Sequence, residues 1–198
     1  IDEAAFLKRT GNGVNQQLVA AKLRWIARHE PDVFSRIATV FGSYDYINWR
    51  LTGRRAVEQN WALEAGFTDV ATDRIADDLV ALAGIPRSAV PDRTVTHEQM
   101  GTVSAEAARE TGLPEGLPIF GGAADHIASA LAAGIASNGD VLLKFGGAGD
   151  IVVAADKAKP DARLYLDYHL VPGLYAPNGC MASSGSALNW MARLLADG

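Results

Sequence analysis

The hydrophobic pattern of this chain changes period near Ser137–Gly139, and that change limits the fold more than any single motif does. Before it, apolar residues recur at helical spacing, as in "VAAKLRWIARHEP" and "IADDLVALAGIP". After it, short runs rich in Val, Leu, Ile and Tyr are separated by glycine turns: "GDVLLKF", "DIVVAA", "RLYLDYHL" and "GLYAPNG". A chain of 198 residues with both textures is expected to be α/β, holding one large domain or parts of two. The boundary is expected where the period changes, giving residues 1–137 and 138–198.

Punctuation along the chain gives the elements. A helix through "NGVNQQLVAAKLRWIARHEP" carries an apolar stripe of Val14, Leu18, Ala21, Trp25 and Ile26 and stops at Pro31. A second runs through "SYDYINWRLTG", with Gly53 in the left-handed position that closes many helices. A third is expected over "ATDRIADDLVALAGIP", and a fourth from Ser104, its N-cap, to Gly112. "LPIFGG" reads as a short buried strand that feeds a helix of small residues after Asp125. "GDVLLKF", "GGAG" and "DIVVAA" form a hairpin, and "SGSALNWMARLLA" an amphipathic helix. Trp25, Trp49, Trp61 and Trp190 are expected in the core or an interface.

Composition removes several function classes. Net charge is −5, from 18 Lys and Arg against 23 Asp and Glu, with no basic cluster, so no nucleic-acid partner and no anionic membrane surface is expected. The longest small-residue apolar stretch, "IASALAAGIAS", is too short to span a bilayer. One cysteine, Cys180, excludes an intrachain disulfide and fits a reducing cytoplasmic location. The four histidines, His29, His97, His126 and His169, lack metal-ligand spacing, so no metal site is expected on side chains. The opening "IDEAAFLKRTG", without Met or a basic-then-apolar leader, reads as part of something longer.

Three segments can carry chemistry. Asp125 follows a glycine pair that closes an apolar run. Its carboxylate can cap the helix that follows, or it can face a cleft and accept a hydroxyl proton as a general base. The turn "KFGGAGD" places Gly146, Gly147 and Gly149 where positive φ and unobstructed amides would form a nest for anionic oxygens, or a plain hairpin turn. A strand follows these glycines, which excludes the dinucleotide-binding fingerprint, and the P-loop Lys-Ser/Thr pair is absent. "CMASSGSALNW" sets small residues at a helix start, where amides and the dipole favour phosphate, or where a serine simply caps. No G-x-S-x-G elbow is present.

In order and approximate spacing, "KLRWIARHEP", "YDYINWRLTG", "GLPIFGGAADHIASALAAGI", "GDVLLKFGGAGDIV" and "SSGSALNWM" together resemble the FGGY carbohydrate kinases. This group includes xylulose, ribulose, gluconate and glycerol kinases, and the resemblance covers essentially the whole chain. It implies an actin-like ATPase fold of ribonuclease H type, with two domains around a cleft, of which this chain holds only part. Residues 1–137 would be the latter part of the N-terminal sugar-binding domain, and 138–198 the beginning of the C-terminal nucleotide-binding domain. The family's N-terminal phosphate loop and adenine pocket have no counterpart here.

The resemblance implies ATP- and Mg²⁺-dependent phosphorylation of a sugar hydroxyl, with a ketopentose such as xylulose as acceptor. Asp125 matches the family's catalytic base, and His126 the adjoining sugar-contacting position. Gly146, Gly147 and Gly149 match the turn that approaches the nucleotide phosphates, and Gly185 and Asn189 match positions near the nucleotide. Relatives are often homodimers. The family turn usually carries a hydroxyl, as in Gly-Thr-Ser-Gly; here Ala148 leaves phosphate contacts to backbone amides. That departure keeps an alternative in view: a catalytically degenerate kinase-like domain that binds a sugar or a partner.

Overall fold

A computed structural model describes residues 1–196. By packing, the described residues form two compact units, one ending at Ala124 and the other beginning at Asp125.

The first unit runs α1 (Glu3–Thr10), α2 (Val19–His29), α3 (Pro31–Phe34), α4 (Ser43–Thr52), β1 (Val57–Glu58), α5 (Gln59–Glu64), β2 (Thr68–Asp69), β3 (Arg74–Ile75), α6 (Asp77–Leu82), β4 (Arg93–Thr94), β5 (Gln99–Thr102), α7 (Ala105–Thr111) and β6 (Pro118–Phe120). Its strands form three two-stranded pairs: β1 with β4 in parallel, and β2 with β3 and β5 with β6 antiparallel. The core gathers Leu23, Val57, Ala62, Phe67, Val80, Ile85 and Val90. A smaller cluster of Phe6, Leu18 and Leu79 packs beside α1.

Several local signals act as the sequence implies. Gly53 and Gly112 close α4 and α7 in the left-handed conformation, where a Cβ would be strained. Ser104 caps α7, its side chain accepting from the Ala107 amide at 3.1 Å.

Other expectations are corrected. The first helix starts at Val19, so Val14 lies outside it, and Leu18 and Leu23 are buried while Trp25 is exposed and stacks on His29. Trp190 is exposed as well, and Trp49 and Trp61 are half-buried. The helix expected from Ala71 begins only at Asp77. Before it, Asp69 folds the chain into a turn, its carboxylate accepting from the Ala71 amide at 3.0 Å. Arg9 anchors that turn by donating to Asp69 at 2.9 Å. "PIF" does form a strand, but Pro118 and Phe120 are exposed: they alternate with the half-buried Ile119 and share the face that is open to solvent.

The second unit contains α8 (Asp125–Ala132), β7 (Val141–Phe145), β8 (Gly149–Val153), β9 (Tyr165–Tyr168), β10 (Tyr175–Met181) and α9 (Gly185–Ala196). Its four strands form one antiparallel sheet in the order β7-β8-β10-β9. Cross-strand register sets Lys144 opposite Asp150, and Asp150 opposite Cys180, so these three side chains share one face. The alternate positions Leu143, Phe145, Ile151 and Met181 share the other face and are exposed.

Candidate active site

Asp125 is the first residue of α8, and its carboxylate is wholly exposed. Its Oδ1 accepts from the backbone amide of His126, the adjacent residue, at 2.7 Å. A capping side chain ordinarily reaches the amide two or three residues on. Asp125 instead sits one position inside the helix and binds the amide at hand. The carboxylate therefore projects outward, accessible to a reactant.

His126 lies beside it, with Nδ1 3.6 Å from Asp125 Oδ1. Its Nε2 is 3.1 Å from Oδ2 of the buried Asp167, in β9. That oxygen also accepts from Asn178 Nδ2, in β10, at 2.7 Å. Asp167 and Asn178 were not picked out from the sequence. The available signal was an acidic residue within the apolar strand run "LYLDYHL".

The glycine turn joins β7 to β8, with Phe145 opposite Gly149. None of Gly146, Gly147 and Gly149 has positive φ, so the expected left-handed nest is absent. What requires glycine at most of these positions is the closeness of α9. A Cβ on Gly147 would lie 3.1 Å from Ser186 Oγ, and one on Gly149 3.0 Å from Ser184 Cβ. A Cβ on Gly185 would come within 2.5 Å of the Gly146 carbonyl oxygen.

That closeness comes from backbone hydrogen bonds. Ser184 N–H donates to Gly147 O at 2.8 Å, and Gly185 N–H to Gly146 O at 2.9 Å. The amides at the start of α9, which the sequence offers to phosphate, therefore hold the glycine turn. Gly146, Gly147, Gly149 and Gly185 are thus brought into one contact, and Asn189 lies one turn further along α9. Around Gly146 space is open, the nearest atom to an added Cβ being Ala148 O at 3.7 Å.

Next to this turn, Lys144 Nζ lies 2.9 Å from Asp150 Oδ2. The Lys144 ammonium and the Cys180 thiol hold the Asp150 carboxyl below the usual carboxylate range. In return the thiol, hydrogen-bonded to Asp150, is pushed up, which makes Cys180 a poor nucleophile.

The first unit contains a second polar group that the sequence did not disclose. Glu58 and Asp45 are buried. Glu58 accepts from the Asn60 amide at 2.8 Å, the Thr96 hydroxyl at 3.1 Å and the Tyr44 hydroxyl at 3.2 Å. Asp45 accepts from the Glu58 amide at 2.9 Å and the Gly42 amide at 3.1 Å. Burial pushes Glu58 up to about 7 and Asp45 up to about 6, against the lowering effect of these donors. These two carboxylates tie α4, β1, α5 and the segment after β4 together; their partners are internal, so their role is architectural.

The chain resembles known sugar kinases. The FGGY family of carbohydrate kinases, N-terminal domain, matches residues 1–132. The xylulose kinase of Klebsiella pneumoniae is 30% identical over 187 residues, covering 93% of this chain and 38% of the relative. The xylulose kinase of Escherichia coli is 28% identical over the same length, again covering 38% of the relative. The crystal structure of xylulose kinase from Rhodospirillum rubrum superposes with a TM-score of 0.98 at 72% identity, covering 100% of this chain and 40% of that one. The chain thus spans about two fifths of the length of these relatives, and its fold is the corresponding part of the actin-like ATPase fold of such kinases.

Proposed function

Because the chain belongs to the FGGY family of carbohydrate kinases, we propose that the protein carrying it transfers a phosphoryl group from ATP to a sugar hydroxyl, with a ketopentose of the xylulose type as acceptor. The observation that carries this reading is the match to the Rhodospirillum rubrum enzyme along the entire chain. In the same proposal, residues 1–137 serve the sugar side and 138–198 the nucleotide side. The family match ending at residue 132, near the end of α8, supports that division. A cytoplasmic location and a homodimer belong to this reading too.

Phosphoryl transfer depends mostly on positioning and charge stabilisation. In the proposed mechanism Asp125 accepts the proton of the attacking hydroxyl, and His126 contacts the sugar beside it. An exposed carboxylate fixed by one backbone amide suits this task, since it keeps a lone pair for the incoming hydroxyl. The glycine turn would admit the nucleotide phosphates through the open side at Gly146, with Gly147 and Gly149 keeping side chains out of their way. Gly185 acts through the turn, by holding Gly146, and Asn189, one turn further along α9, would reach the nucleotide. Mg²⁺ supplies charge neutralisation on the phosphates when bound. Asp150, the carboxylate next to the turn, is engaged by Lys144, so the ion is proposed to arrive with ATP rather than on that side chain.

A second reading has one specific observation in its favour. The turn has no hydroxyl, and the α9 amides are already engaged, which fits a kinase-like domain that binds without turnover. Asp125→Asn in the full-length protein separates the two. Asn is nearly isosteric, so the kinase reading expects kcat to fall by roughly 10²–10⁴ with sugar binding intact. A fully active Asp125→Asn enzyme would remove Asp125 as the base. A wild-type protein that consumes no ATP with any ketose would favour the binding domain.

A further inference from the structure

We infer that Asp167 and Asn178 are positioning residues for the Asp125–His126 pair, holding the imidazole so that it walls one side of the exposed carboxylate; this rests on the reading of Asp125 as the reactive group. Asp167 occupies the middle of an apolar strand and is buried. A buried carboxylate costs free energy unless donors converge on it. Here two donors converge on the same oxygen, Oδ2, while Oδ1 finds no partner among the described residues. Buried polar atoms usually find a partner, so the unengaged oxygen calls for an explanation. The arrangement directs a single oxygen at two side chains from different elements.

The link is anchored in the backbone of the sheet. Asn178 Nδ2 donates to Ala176 O at 2.9 Å as well as to Asp167. Register places Asp167 opposite Ala176, and Asn178 two positions along β10 on the same face. The carbonyl of β10 thus orients Asn178, which orients Asp167, which orients His126. With Asp167 as the acceptor, Nε2 is the ring nitrogen that carries the proton between them. With Nε2 fixed, Nδ1 is directed to the Asp125 side. The 3.6 Å separation there exceeds a hydrogen bond, so the ring sets where the carboxylate can lie rather than binding it. Among the described residues Asp125 has one anchoring bond of its own, to an adjacent amide, and a base with so little support needs a neighbour that limits its rotamers.

The test uses the full-length protein with ¹⁵N-labelled histidine. Asp167→Leu removes the acceptor, and Asp167→Asn keeps an oxygen in the same place without the charge. In the wild type the His126 Nε2–H signal is expected to be protected from solvent exchange. Asp167→Leu should abolish that protection and lower kcat by about 10- to 100-fold, with the KM for ATP unchanged. Asp167→Asn should restore the signal and much of kcat, which a purely electrostatic role would not allow. Asn178→Ala leaves the carboxylate but removes its guide, and should give an intermediate loss; it carries the test if Asp167→Leu does not fold. Wild-type kcat and an unchanged His126 signal in Asp167→Leu, or in Asn178→Ala if that variant has to serve, would overturn the inference. The imidazole signal judges the positioning by itself, so it stands apart from an Asp125→Asn result that contradicts the base.

Discussion

In the first unit Phe67, Leu63 and Val57 are fully buried and the strands are only two to four residues long; in the second, a four-stranded sheet shows one largely apolar face to solvent. No described residue of α9 is buried. The first unit is therefore held by side-chain packing, with short β-pairs closing its edges. The second also buries apolar side chains, Ile127, Val152, Leu166 and Ala176 among them, and adds its backbone ladder, the contact between the glycine turn and α9, and polar side chains on the sheet's other face. Within each unit the carboxylates follow their surroundings. Burial raises Glu58 and Asp45 in the first unit, whereas the Ala136 and Ser137 amides hold Asp140, and Lys144 holds Asp150, below the usual range in the second.

The contrast breaks most sharply in the cores. Phe67→Ala should cost about 3–5 kcal/mol by denaturant titration, the usual result of emptying a packed site. Phe145→Ala, which truncates a side chain 80% exposed, should stay within about 0.5 kcal/mol. A comparable loss from Phe145→Ala would mean that the exposed sheet face is covered after all.

Within the second unit, Gly185→Ala should lower stability by about 1–3 kcal/mol, because its Cβ would meet a backbone oxygen rather than a side chain that can move aside. Gly146→Ala, with open space and no positive φ, should be nearly neutral to the fold. Nucleotide titration of the same variants in the full-length protein sharpens the comparison: Gly147→Val should weaken nucleotide binding and leave sugar binding unchanged. The cause is crowding against Ser186, not an unfavourable φ.

The smallest expected effect is in pH dependence. Glu58 and Asp45 have folded-state values above those of the unfolded chain, so the folded protein holds their protons more tightly. Their contribution is complete below about pH 4 and is lost as pH rises to about 7. Asp140 and Asp150 act in the opposite direction, losing their contribution as pH falls below the usual carboxylate range. Melting temperatures should therefore decline gently from pH 4.5 to 7 in the wild type and lose that slope in Glu58→Gln, whatever its overall stability. An unchanged slope would show that Glu58 is ionised in the folded state throughout.

The sequence by itself determined what depends on neighbours along the chain: Ser104 as a cap, Gly53 and Gly112 as helix stops, the β7–β8 hairpin, and Asp125 at the head of a small-residue helix. Motif order carried the family, because each segment is a local pattern in a fixed succession. It also brought Gly146, Gly147 and Gly149 forward, but the reason it offered, positive φ, was the wrong one; Gly185 came forward through the family pattern alone. The tertiary structure decided the rest. His126 meets Asp167 across 41 positions, Thr96 meets Glu58 across 38, and Ser184 and Gly185 give their amides to a turn formed by another segment. A hydrogen bond between distant residues leaves no periodicity or spacing to read. Only folding decides which donor reaches a buried carboxylate, and whether an amide at a helix start remains available to a ligand.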